Sequence, residues 1–196
     1  MKYRSIAIAV FYSLLSFGKA DGYDQGKTAD NYLDKAELII AKSFMPLLEN
    51  KNGEKDKFLQ LVNQSLKLEE SARAYLYLGF IKHMAFDSES YKKSVQYYEK
   101  AIALEPKNIR ALIALSSSHM NGKNYQECMN STDQVLKVDP QHKLAKRLAK
   151  DCKSSFDQQK FNKCMKDYEV LWHREPKNKV VLRKVDECMI QLGSKS

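Results

Sequence analysis

From Thr28 to Gly193 apolar residues recur at intervals of three and four, the spacing that gathers them on one face of a helix, and strand signals are absent. Polar breaks divide this pattern into pairs. TADNYLDKAELIIAKSFMPLLEN and EKDKFLQLVNQSLKLEE form one pair around the turn KNGEK, and Pro46 is expected to bend or break its first helix. Further along, AFDSES, NGKN and SSFDQQ are each expected to be the turn between two paired helices, because their residues favour caps or positive φ. Only Gly53, Gly79 and Gly122 fall between Asp30 and Ile190, so long helices can run uninterrupted. The predicted fold class is all-α.

The pairs recur with a period. Pro106, Pro140 and Pro176 stand 34 and 36 residues apart, and each follows an acidic residue that ends a helical pattern. CMNSTDQVLKVDP (128–140) and CMKDYEVLWHREP (164–176) both open on Cys-Met and close on Pro. In the unit ending at Pro140 the apolar or small positions are Leu112, Leu115, Ser116, His119, Tyr125, Cys128, Thr132 and Val135. The preceding unit supplies Tyr75, Leu78, Gly79, Tyr91, Ser94, Tyr98 and Ala101, and the following one Phe161, Cys164, Tyr168 and Leu171. This pattern resembles the tetratricopeptide repeat, with Thr132 in place of an aromatic residue and His119 in place of a Tyr. The resemblance implies a right-handed solenoid of helical hairpins over 71–193, with KVVLRKVDECMIQLG as a capping first helix and 29–70 as a divergent N-terminal helical pair or cap. Each hairpin leaves an apolar face that only its neighbour covers, so the stack is one cooperative domain.

The start of the chain has a different character. MKYR, the apolar run SIAIAVFYSLLSF and Gly18-Lys19-Ala20 read as a secretory signal peptide over 1–20 with cleavage after Ala20. The run is too short for a membrane span, which needs about 20 residues. The mature protein is thus expected to be exported, periplasmic or secreted, or lumenal in a eukaryote, and not integral to a membrane. Residues 21–28 are polar and read as a flexible segment.

Four cysteines follow, at 128, 152, 164 and 188. An even number in an exported chain points to disulfides, and spacings of 24, 12 and 24 residues, without a Cys-x-x-Cys pair, fit zinc poorly. On the repeat register, Cys128 and Cys164 sit early in second helices and Cys152 and Cys188 in the next unit's first helix. That placement favours Cys128 with Cys152 and Cys164 with Cys188. Pairing Cys152 with Cys164 inside one repeat stays open, as do four unlinked small core residues.

The resemblance also implies a concave groove lined by first helices. On the family's register its residues are Leu76, Phe80 and His83 from one unit, Ile113, Ser117 and Met120 from the next, then Leu144 and Arg147. Mostly apolar, such a groove is expected to take an apolar or amphipathic segment of a partner protein or peptide. The charge is uneven: 33 Lys/Arg stand against 24 Asp/Glu overall, but 14 against 7 from Gln141 onward. Lys143, Lys146 and Lys150 therefore form a candidate basic docking face for an acidic protein or an anionic surface. Export disfavours nucleic acid as a partner. His83, His119, His142 and His173 are scattered, and neither a phosphate loop nor a nucleophile elbow occurs, so the reading is a non-enzymatic scaffold without cofactor or metal.

Overall fold

The computed structural model describes residues 28–42, 47, 49–85 and 87–191. The expected signal peptide, most of the segment expected to be flexible, and Pro46 lie outside the described residues. Among those described, nine α-helices follow one another and no strand occurs. They are α1 (Ala29–Lys42), α2 (Glu54–Leu68), α3 (Ala72–His83), α4 (Ser88–Leu104), α5 (Ile109–Asn121), α6 (Tyr125–Val138), α7 (Lys143–Met165), α8 (Glu169–Arg174) and α9 (Lys179–Gln191).

Consecutive helices pack against each other from α1–α2 through α6–α7, so the chain is a solenoid of helical hairpins. α1 buries Leu33, Ala36 and Ile40, and α2 buries Phe58, Val62 and Ser65, each at helical intervals. Asn50 links the two: in a left-handed turn (φ 52°) its Oδ1 accepts from Lys55 N at 3.0 Å, which holds the start of α2. This N-terminal pair is tied to the first repeat by Arg73, whose guanidinium reaches Asp34 at 2.6 Å and Glu37 at 2.9 Å. Tyr77 donates to the same Glu37 and meets Phe58 edge-on, with ring centroids 5.7 Å apart.

The acidic-Pro turns are one device used three times. Asn108 N, His142 N and Asn178 N each donate back to the carbonyl of the acidic residue before the proline, at 3.0, 3.1 and 2.9 Å. The same residue then caps the next helix. Asn108 Oδ1 accepts from Ala111 N, His142 Nδ1 from Ala145 N and Asn178 Oδ1 from Val180 N. Proline sits at the one turn position where a missing N–H costs nothing. In the shorter turn NGKN the left-handed residue is Lys123 (φ 60°) and not Gly122.

One expected turn is absent. SSFDQQ does not separate two helices but lies inside the 23-residue α7. It contains neither Gly nor Pro, and side chains four apart bridge it: Lys153 to Asp157 at 3.3 Å, Gln158 to Asn162 at 2.8 Å, and Lys160 4.5 Å over the Phe156 ring. Beyond Met165 a short 3-10 turn leads into α8 with helical dihedrals at Lys166 (φ −48°, ψ −43°). The third unit is thus a long, slightly broken helix. Its chain reverses only at Glu175–Asn178, after which α9 packs back on α7.

Candidate partner-binding surface

The concave groove expected from the repeat register is not an open surface. Leu76, Phe80, His83, Ile113, Ser117 and Met120 are all buried, at most 5% exposed. Leu144 is half-buried and only Arg147 is exposed. α3 and α5 are covered on nearly every side, with 10 residues of each buried, so they behave as central helices with no solvent stripe.

His83 shows what the inner positions do instead. Its Nδ1 lies 2.7 Å from Ser118 Oγ, Ser118 Oγ lies 2.8 Å from Ser94 Oγ, and Ser94 donates to the Tyr91 carbonyl. Because Ser94 spends its one proton on Tyr91, Ser118 must donate to Ser94, and His83 Nδ1–H must donate to Ser118. Nε2 is then the acceptor for Asn121 Nδ2, 3.0 Å away. The ring is a fixed neutral tautomer joining α3, α4 and α5. Burial holds its pKa down to about 4. His119, also buried, is shifted down for the same reason, against the opposing influence of Glu127.

The C-terminal end is built differently. Of 11 large hydrophobic residues exposed among those described, seven lie on α8 and α9: Val170, Leu171, Trp172, Val180, Leu182, Met189 and Ile190. The inner stripe of α9 is spent on Val181 and Cys188, and no further described unit covers its outer side. Lys143, Lys146 and Lys150 are all exposed on α7 and, with Arg147, form no ion pair among the described residues; Lys146 reaches only Gln141 Oε1, at 2.8 Å. Beside them α7 and α9 enclose a cleft of about 490 Å³, with Lys150, Lys153 and Asp157 towards one end and Phe161 and Met189 at the other.

Two disulfides fasten this end, Cys128 to Cys152 and Cys164 to Cys188, with Cα atoms 6.1 and 5.8 Å apart. Each straddles a proline turn with 12 residues on either side, Pro140 for the first and Pro176 for the second. In an antiparallel pair of helices, equal steps away from the turn bring residues level. Cys164 sits near the end of α7 and not early in a separate second helix, so it shares a helix with Cys152. Twelve residues at 1.5 Å each put those two about 18 Å apart, beyond the reach of one bridge. No group of three or more His, Cys, Asp or Glu placed to hold a metal ion occurs among the described residues.

The cleft residues Phe161 and Met189 were not separable from core positions in the sequence, because their exposure depends on α7 not turning. The signal that could have found them is the helix-favouring run of side-chain pairs across SSFDQQ.

Comparison with known proteins finds three similarities. Residues 85–152 match the tetratricopeptide repeat family. It is 31% identical over 130 residues to "Uncharacterized protein ycf37" of Cyanophora paradoxa, a match covering 66% of each chain, so just under two thirds of that relative is represented. The solved Arabidopsis OM64 TPR domain is similar over 62% of this chain and 96% of its own, with 19% identity and a TM-score of 0.45. Tetratricopeptide repeats are protein-interaction modules, and among the described residues no helix is long and apolar enough to cross a membrane.

Proposed function

We propose that this protein is a non-enzymatic, exported interaction scaffold that holds a segment of a partner protein on its C-terminal face and thereby assists the partner's assembly, secretion or folding. The observation that carries this reading is the concentration of exposed hydrophobic residues on α8 and α9, of which Met189 lines one cleft together with Lys150, an α7 cation with no ion pair among the described residues. Exposed hydrophobic residues gathered on one end of a fold mark an interaction site more often than single ones scattered over a surface. The inner face of α3 and α5, by contrast, offers a partner no free side chains. Export rests on the pattern of residues 1–20 and is supported by two disulfides, which persist in oxidising compartments. The basic row on α7 also favours a second reading, a stabilising subunit permanently docked into a larger complex; a fixed stoichiometry on native co-purification separates it from transient assistance.

The test is photo-crosslinking in the native host from a reactive residue at Val180, compared with one at Asp87 in the turn before α4. A discrete adduct with one partner from Val180 alone supports the proposal. The same adducts from both positions, or adducts only from Asp87, contradict it.

A further inference from the structure

The continuity of α7 leaves something missing. In the two preceding units the first helix packs along an antiparallel second helix, α4 on α3 and α6 on α5. In the third unit the residues that would form that second helix run on as the far half of α7 and as α8. The face of α7 from Lys150 to Phe161 therefore borders an open cleft where its sister helices have a partner. From Lys146, one turn before the lining begins at Lys150, to Phe161 this face of α7 runs roughly 22 Å at 1.5 Å per residue, about four turns of a docked helix.

Its chemistry is graded along the length. Lys146, Arg147 and Lys150 carry positive charge that no described carboxylate neutralises, while Asp157 is already bonded to Lys153 at 3.3 Å. Towards the far end Phe161 and the exposed Met189 present apolar surface. We infer that the cleft between α7 and α9 receives an acidic amphipathic helix of a partner protein, which completes the interrupted third repeat with carboxylates beside Lys146 and Lys150 and apolar side chains on Phe161 and Met189. The inference rests on the scaffold reading above and specifies the segment it would hold. A helix in a groove of this kind is read by apolar anchors at i, i+3, i+4 and i+7, and opposite charge along the rim fixes its direction. The disulfide Cys164–Cys188 keeps α9 in place as one wall, so the cleft is preformed and little ordering of the receptor opposes binding.

The experiment uses the full, oxidised chain and three synthetic helical peptides of about 16 residues, the length of the α7 face from Lys146 to Phe161. One carries Leu at helical spacing in one half and Glu in the other, the second has Lys for each Glu, and the third has Ser for each Leu. Fluorescence anisotropy should show the Leu/Glu peptide binding roughly tenfold or more tighter than either relative. The Lys146→Glu/Lys150→Glu chain should reverse the preference to the Leu/Lys peptide, and Met189→Glu should abolish binding with an unchanged circular dichroism spectrum. Met189 is 41% exposed, so that change does not touch the core. Equal affinity for the two charged peptides, or no reversal in the double variant, overturns the inference. So does binding of the chain to phosphatidylglycerol vesicles that the Leu/Glu peptide does not displace, since the basic row would then face lipid. Partner crosslinks from Val180 together with failure of all three peptides would leave the scaffold reading standing and this inference refuted; peptide binding without native crosslinks would be the converse.

Discussion

A Cβ atom on Gly79 would stand 2.5 Å from Cε1 of Tyr98 and 2.7 Å from its Cδ1. α3 and α4 approach this closely because the first helix has no side chain there and the second fills the space with a fully buried ring. The equivalent positions of the next unit are Ser116 and Thr132, both 0% exposed: the first helix gains volume and the second gives it up. The departure from the aromatic repeat position at Thr132 is thus matched by a larger residue at the small one.

Gly79→Ala is accordingly expected to destabilise. In an exposed helix interior the exchange would gain about 1 kcal/mol of propensity. Here the buried Tyr98 ring must shift, and overpacking of that sort costs about 1–3 kcal/mol, so the net sign is a loss. Urea unfolding should show it, and the Gly79→Ala/Tyr98→Leu double variant should be more stable than the sum of its singles. Additive losses would place the cost elsewhere than the Gly79–Tyr98 contact.

Stability should fall with acid through His83. Its folded pKa is lowered from 6.5 to about 4. Above about pH 6.5 the ring is neutral folded or unfolded and contributes no slope. Below that the unfolded chain takes up the proton first, so stability is lost as pH falls towards 4, by up to roughly 3 kcal/mol. His119 acts in the same direction. Protonation at Nε2 sets N–H against the Asn121 amide, so Asn121→Asp, which supplies an acceptor, should raise the pKa of the His83 ring and flatten the slope between pH 6.5 and 4.5. An unchanged slope in both His83→Gln and Asn121→Asp would exclude this network as its source.

The repeat itself was legible in the sequence because its markers are local: proline after an acidic residue, small positions such as Gly79, and helical spacing of Leu112 and Leu115. The unit boundaries at Pro106, Pro140 and Pro176 coincide with three turns of one hydrogen-bond pattern. What could not be read was whether SSFDQQ turns. Polar residues favour a turn and also a solvated helix, and the outcome depends on side-chain pairs such as Lys153–Asp157 that propensity alone does not weigh. Misreading that segment hid the cleft at Phe161. The inner face was less legible: Leu76, Phe80 and Ile113 occupy groove positions by register and are buried, and register says nothing about what covers them.

Arg73 should be the clasp between the N-terminal pair and the first repeat. Its side chain is 32% exposed and meets Asp34, Glu37 and Tyr77 together. Arg73→Ala leaves a half-buried Glu37 without its cation and is expected to cost about 1–3 kcal/mol. Hydrogen exchange should quicken in α1 while α5 and α6 keep their protection. Arg73→Lys should recover only part: a single nitrogen, Nη2, meets both carboxylates and an ammonium can stand in for it, but the Nε–H donated to the Tyr77 hydroxyl is lost. Uniform quickening across the chain would contradict a local clasp.

The two bridges should differ in resistance to a dithiol. Cys128 and Cys152 are both fully buried, whereas Cys164 is half-buried at the lighter contact between α7 and α9. Graded dithiothreitol should open Cys164–Cys188 first and loosen α9 alone; opening both should lower the melting temperature, each 24-residue loop being worth about 3 kcal/mol. Peptide mapping of the unreduced chain checks the pairing itself. A recovered Cys152–Cys164 peptide would mean that α7 folds back after all.

The most direct measurement of the scaffold reading is the hydrogen-exchange footprint of the partner captured from Val180, taken on the complex and on the free chain. If the C-terminal face holds the partner, slowed amides should fall in α7, α8 and α9, with α3 and α5 unchanged. Slowing confined to α3 and α5, and none beyond Lys143, would return the binding site to the inner helices and contradict the account.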